Sequence, residues 1–172
     1  KDNQGTLWLG TYFGGVNYFN PEYEIYTRYS YSSNEKKGLS NPVVGRTIED
    51  RDGNLWIGTE GGGLNYYNRR TREFKWYRPQ EGRNSISHNN VKALYYDADK
   101  EIIWIGTHLG GLNKLDIRSG HFTHYRMEEG NPNTLPSDII RDIIPYKSLL
   151  IIATQNGVCL FDPANGQCQQ LF

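Results

Sequence analysis

Three tryptophans, Trp8, Trp56 and Trp104, stand 48 residues apart, and each opens nearly the same phrase: WLGTYFGGVNYFN, WIGTEGGGLNYYN and WIGTHLGGLNKLD. A degenerate fourth copy, IIATQNGVCLFD, puts Ile151 at the Trp position. Thr11, Thr59, Thr107 and Thr154 keep phase through all four copies. A second landmark precedes the later ones: Leu39-Ser40, Ile86-Ser87 and Leu135-Pro136. Landmarks in near-constant phase identify a tandem repeat, and such a chain folds by stacking copies of one small unit.

Each unit reads as four strand-length segments. In the best-resolved copy these are Val43–Glu49, Leu55–Thr59, Leu64–Asn68 and Phe74–Tyr77, separated by the turns 50–54, 61–63 and 69–73. Glycines at the turns supply the positive φ that short β connections need, and no segment sustains a 3.6-residue period. Four strands per unit of about 48 residues fits a blade of a β-propeller. The expected fold is therefore all-β: a propeller segment of about four four-stranded blades over residues 1–29, 39–78, 86–126 and 135–172. The four-strand count disfavours separate hairpin modules or a β-solenoid. Lys1 aligns with Glu49, so the first blade is expected to lack its innermost strand. Open sheet edges are an aggregation liability. Either further sequence completes the ring, or two copies associate as a homodimer.

The repeated phrase resembles the two-component regulator propeller repeat. Asp50, Gly53, Leu55, Trp56, Ile57, Gly58, Thr59, Gly63 and Leu64 carry the resemblance position by position. The first copy carries it through Asp2, Gly5, Trp8, Gly10, Thr11 and Gly15, and the third through Asp97, Trp104, Gly106, Thr107 and Gly111. The fourth loses the Trp and the first Gly. The resemblance implies a fragment of a bacterial hybrid two-component sensor, membrane-anchored with periplasmic propellers and an internal histidine kinase and phosphorelay output. It further implies recognition of polysaccharide breakdown products, with adjacent propeller and transmitter domains as partners in the parent chain.

Composition narrows the function classes. Lys+Arg and Asp+Glu both number 19, so the basic excess of a nucleic-acid or membrane-surface binder is missing. The longest greasy run, Leu149–Ala153, is strand length, which gives this segment no direct membrane contact. The polar start Lys1-Asp2-Asn3-Gln4 is no signal peptide, although an excised fragment would also lack one. Two cysteines cannot build a zinc site, and His121 and His124, at i and i+3 on a strand, face opposite ways. His88 and His108 lack a Cys or carboxylate at ligand spacing. The Gly61-Gly62-Gly63 run has no following Lys-Ser/Thr, and no Gly-x-Ser-x-Gly elbow occurs. No metal, cofactor or catalytic residue is therefore expected, and Asp50 reads as a turn former. A four-residue loop after Asp162 would set Cys159 opposite Gln170 and diagonal to Cys168. That arrangement favours free buried thiols, with a disulfide only in another register.

Binding is better sought on connections, since a repeat keeps its strands alike and varies its loops. The turn between second and third strands shares a face with the long inter-blade connection. There the copies differ: Tyr12-Phe13, Glu60, His108-Leu109 and Gln155-Asn156. The connections add Tyr29, Tyr31, Arg78, Arg83, Asn89 and Asn90. Such side chains stack on and hydrogen-bond to polyols, so this face is the expected oligosaccharide site. The in-phase Trp8, Trp56 and Trp104, with the four threonines, are assigned to inter-blade packing, and Trp76 falls outside that pattern. A ligand-free interaction scaffold and a carbohydrate-active enzyme are the two competing readings.

Overall fold

A short hydrophobic strand, a tight turn and a second strand can pair at once, and the chain does this repeatedly. The computed structural model describes residues 1–20 and 25–171. Its first sheet holds β1 (Leu7–Thr11), β2 (Gly15–Asn20) and β3 (Ile25–Tyr29). The second holds β4 (Val44–Glu49), β5 (Leu55–Thr59), β6 (Gly63–Asn68) and β7 (Glu73–Tyr77). The third holds β8 (Val91–Asp97), β9 (Ile102–Thr107), β10 (Leu112–Asp116) and β11 (Phe122–Tyr125). The fourth holds β12 (Ile140–Tyr146), β13 (Leu149–Thr154), β14 (Gly157–Phe161) and β15 (Cys168–Gln170). Every sheet is an antiparallel meander in sequence order, and one 3₁₀ turn (Glu35–Lys37) lies in the first connection. No helix among the described residues is long and apolar enough to cross a membrane. Phe172 lies outside the described residues.

First strands of neighbouring sheets lie against one another, β4 on β8 and β8 on β12. The sheets therefore radiate from a shared inner side, as propeller blades do. One buried cluster fills each gap between adjacent sheets. Val16, Leu39, Leu55, Ile57, Tyr67 and Phe74 fill the first gap. Trp56, Ile103 and Phe122 belong to the second, and Trp104, Ile152 and Phe161 to the third. Strands β5 and β9 are buried along their whole length, because each is covered on both faces. That is why LWIGT and IIWIGT lack the apolar–polar alternation of a one-sided strand.

The repeated polar residues have mechanical jobs. Asp50 Oδ1 accepts the backbone N–H groups of Asp52 and Asn54, while its Oδ2 accepts Trp56 Nε1–H at 3.1 Å. Asp2 does the same for Gln4, Thr6 and Trp8. One carboxylate thus fastens both the turn and the tryptophan it precedes. The Asp2 carboxyl is held below its ordinary value: burial opposes this, but the Trp8 indole, the two N–H groups and Arg69 outweigh it. Each repeated threonine donates to the carbonyl that closes the next turn, Thr59 Oγ1 to Gly63 O at 2.9 Å and Thr107 Oγ1 to Gly111 O at 2.9 Å. Thr11 and Thr154 repeat the bond to Gly15 and Gly157.

The Leu-Ser landmark has an equally local cause. Ser40 N–H donates to Asn65 Oδ1, and Asn65 Nδ2 donates back to Ser40 Oγ, both at 2.8 Å. Ser87 and Asn113 make the same reciprocal pair. In the fourth sheet Pro136 stands at the serine position and Cys159 at the asparagine position. Both partners are gone together, so no buried amide is left unpaired there.

Cys159 faces Gln170, as the loop length implied, and both cysteines are buried and unbonded with their sulfurs in contact. The hydrogen bond to Cys159, then burial, push the Cys168 thiol far above the usual thiol range. Neither thiol is therefore expected to react with Ellman's reagent in the native chain, whereas both should titrate in concentrated guanidinium. Rapid native labelling would contradict this burial.

Candidate functional site

In the first three sheets, the turn between second and third strands is fastened to the connection that enters the next sheet. Gly15, Gly63 and Gly111 donate backbone N–H bonds to the carbonyls of Pro42, Asn89 and Asp138, at 3.2, 2.7 and 2.9 Å. Glu60, His108 and Gln155 each begin the turn that follows their threonine and are tied through their own N–H groups to Val43, Asn90 and Ile139. The variable side chains therefore project from a braced rim.

Along that rim the side chains form separate groups. Tyr12 and Phe13 are 65% and 72% exposed and pack edge to face with centroids 4.6 Å apart. Glu60 is ion-paired with Lys92, and Glu60 and Asn90 form an isolated β-bridge. His108 keeps a buried Nδ1 without a hydrogen-bond partner. His88 is held below the usual imidazole range, first by burial and then by the charges of His108 and Arg126. Gln155 Oε1 accepts from Arg141 Nη2 at 3.0 Å, and Asn156 is exposed beside it. Leu109 is held at φ +77 with its side chain exposed.

Other expected site residues are engaged elsewhere. Tyr29 is the last residue of β3, and its ring turns into the gap between the first two sheets, against Trp8, Tyr67 and Phe74. Arg78 stacks on Trp76 at 4.5 Å and donates to Ser40 O. The Asn89 and Asn90 carbonyls are occupied by Gly61, Gly63 and His108 N–H groups. Tyr31 is exposed and bridges to Leu39.

Sequence reading missed the charged residues of the inner strands. Strands β4, β8 and β12 carry register shifts between Val44 and Thr47, Val91 and Ala93, and Ile140 and Asp142. Lys92 and Arg141 are the extra residues, which a bulge re-aims. They reach Glu60 and Gln155. Arg46 meets Asp142 at 2.7 Å although 96 residues separate them, so β4 and β12 border one shared space. The one visible signal was a basic residue after the first strand residue in two copies. Among the described residues no group of three or more metal-ligating side chains occurs.

The comparisons with known proteins fit this frame. Residues 38–61 and 85–108 match the family model for the two component regulator propeller. Two segments of the chain are therefore similar to two-component regulator propeller repeats. These segments span the Leu-Ser landmark, the inner strand and the Trp strand of the second and third blades. Among solved structures, the chain is similar to the extracellular domain assigned to the hybrid two component system BT3049 from B. thetaiotaomicron. The identity is 26% and the TM-score 0.84, over 100% of this chain and 24% of that one. The extracellular domain of BT4673 from the same organism follows at 24% identity and TM-score 0.80, again over 100% and 24%. PorZ of Porphyromonas gingivalis, a surface component of the type-IX secretion system, shares the fold at 20% identity and TM-score 0.69, over 97% and 26%. The chain thus spans about a quarter of each of these structures. Comparison with curated proteins gives no match. One blade architecture serves both a sensor system and a secretion component, so function has to be argued from the site.

Proposed function

We propose that this regulator propeller segment is a non-catalytic part of the extracellular, periplasmic sensor region of a membrane-anchored two-component system, recognising an oligosaccharide on the rim of second-to-third-strand turns. The observation that carries the reading is the division of labour within the repeat. Strand residues, turn glycines and threonines recur in fixed bonding roles, while the residue after each threonine changes from Tyr12 to Glu60, His108 and Gln155. Along the rim, the exposed Tyr12–Phe13 pair supplies stacking faces, and the Glu60–Lys92 and Arg141–Gln155 pairs supply hydrogen-bonding groups of the kinds a sugar uses. Binding acts on a histidine kinase only if it differs between two packings of the propeller against its neighbouring domains.

A ligand that binds only the folded chain stabilises it by about 2.7 kcal/mol at a hundredfold excess over Kd. That raises the melting temperature of a domain this size by roughly 5–10 °C. A thermal-shift screen with neutral oligosaccharides should show such a rise, and the double substitution Tyr12→Ala, Glu60→Ala should abolish it. An unchanged shift in the double variant would remove this face from consideration. No shift with any sugar, together with a two-chain mass in solution, would favour the interaction-scaffold reading. Release of shorter products would favour an enzyme.

A further inference from the structure

Between the first and second sheets lies a groove of about 510 Å³, within the size range of small-molecule sites. Its wall is aromatic: Trp8, Tyr18, Tyr29 and Tyr67 all line it. Trp8 is half-buried, unlike Trp56 and Trp104 at 2% and 1% exposure, so part of its ring is available. Trp8 stacks with Tyr29 at 6.1 Å, and Tyr29 donates its hydroxyl hydrogen bond to Tyr67 at 3.0 Å. These bonds fix the wall before any ligand arrives.

The rim of the groove departs from the repeat in one direction, toward positive charge. Arg69 occupies the place of Ile117 and Pro163 in the later sheets, the residue after Asn68, Asp116 and Asp162. Arg69 is anchored by Asp2 and Glu49 at 3.1 and 3.2 Å and lies 5.4 Å from the Trp8 ring, while its buried Nε has no hydrogen-bond partner. Arg72 holds φ +59 where the corresponding turns use Gly120 and Gly166, at φ +70 and +76. The three turns are closed by the same bond, Arg72 N to Asn68 O, Gly120 N to Asp116 O and Gly166 N to Asp162 O. An arginine stands at a left-handed position that its counterparts leave to glycine, and its side chain lines the groove. Lys37 from the first connection lines it as well. Among the described residues no carboxylate lines the groove, and neither Arg72 nor Lys37 makes a hydrogen bond or ion pair through its side chain. The charge of Arg69 is met by its two carboxylates, while Arg72 and Lys37 have no such partner among the described residues.

We infer that this groove is a second saccharide site, separate from the turn rim, that selects sugars bearing a carboxylate or sulfate: the ring stacks on Trp8 and Tyr18, and the anion meets Arg72 and Lys37. The inference rests on the saccharide reading above for the kind of ligand, but on different residues. Its charged rim, with Gln4, Arg69 and Arg72, sits at the opposite strand ends from the turn bearing Glu60. Guanidinium groups bind carboxylate and sulfate through paired N–H donors, and aromatic faces bind the ring, so a sugar that carries an anion engages both features and a neutral one only the second.

The test is isothermal titration of the 172-residue chain with trigalacturonate, a sulfated carrageenan tetrasaccharide and maltotriose. The acidic sugars, or one of them, should bind with an affinity that weakens as salt is raised, and which one binds identifies the anion. Arg72→Gly combined with Lys37→Ala should weaken that binding at least tenfold. Arg72→Gly should melt no lower than the parent chain, because glycine suits the left-handed position, so a loss of binding is not a loss of fold. Tyr12→Ala, Glu60→Ala should leave acidic-sugar binding in place. Absence of binding by both acidic sugars, or unchanged affinity in the Arg72→Gly, Lys37→Ala chain, overturns the groove. Maltotriose binding that needs Tyr12 and Glu60 would then still uphold the rim. Acidic-sugar binding that depends on Arg72, without any rim effect, would uphold the groove alone.

Discussion

Replacing Gly63 by alanine is expected to destabilise the chain by at least about 3 kcal/mol, while Gly82→Ala costs only about 1 kcal/mol. Both glycines are left-handed, at φ +80 and +67. They differ in surroundings. A Cβ at Gly82 meets nothing within 4 Å, whereas one at Gly63 would lie 2.2 Å from the carbonyl oxygen of Tyr77. That oxygen belongs to the strand paired with β6, where Leu64 faces Tyr77. It cannot move without opening the ladder. The amide of Gly63 also donates to Asn89 at 2.7 Å, so a shifted turn loses its tie to the connection entering the third sheet. Gly15 and Gly111 repeat the geometry, with Cβ positions 2.1 and 2.3 Å from the carbonyls of Tyr29 and Tyr125. Guanidinium unfolding followed by far-ultraviolet circular dichroism separates the two costs. Equal midpoints for Gly63→Ala and Gly82→Ala would mean that the close approach to Tyr77 does not constrain the turn.

The glycine case shows why so much of the blade was legible from sequence. Gly63, Thr59, Asp50 and Trp56 act on partners within a few residues or on the next strand of their own meander, and the repeat displays each role at least twice. A position that keeps its residue through independent copies exposes a local geometric need, here a left-handed turn, a threonine lid over its carbonyl and an aspartate holding an indole. The landmark Leu39-Ser40 was visible only as a phase marker; its reason is the reciprocal bond to Asn65, 25 residues on. The site was less legible. Arg46 and Asp142 meet because β4 and β12 curve around one inner side, a fact of closure that no spacing encodes. Tyr29, counted with the connections although it closes the first blade, ends β3, and its ring serves the first inter-sheet gap instead. The groove rests on departures from the repeat, Arg69 and Arg72. A search for what the copies share passes over what one copy does alone.

Trp56→Ala is expected to be the more damaging of two tryptophan truncations. Removing a buried indole costs about 3–5 kcal/mol through lost burial and the cavity left behind. Trp56 is 2% exposed and fills the gap between second and third sheets, against Tyr66 at 4.7 Å and Tyr77 at 5.8 Å. Its loss also deprives the buried Asp50 carboxylate of the Nε1–H donor at 3.1 Å, worth about another 1 kcal/mol. Trp8→Ala removes the same chemistry from a half-buried ring and should cost clearly less. Trp56→Phe separates the contributions, since it keeps most of the apolar volume and drops only the donor; about 1–2 kcal/mol is expected. In a stacked array each sheet is stabilised largely through its neighbours, so weakening one interface loosens the coupling across it. In Trp56→Ala, loss of signal from the remaining Trp8, Trp76 and Trp104 should no longer coincide with loss of backbone circular dichroism. A single coincident transition at a shifted midpoint would mean instead that the other gaps bind the four sheets into one cooperative unit without it.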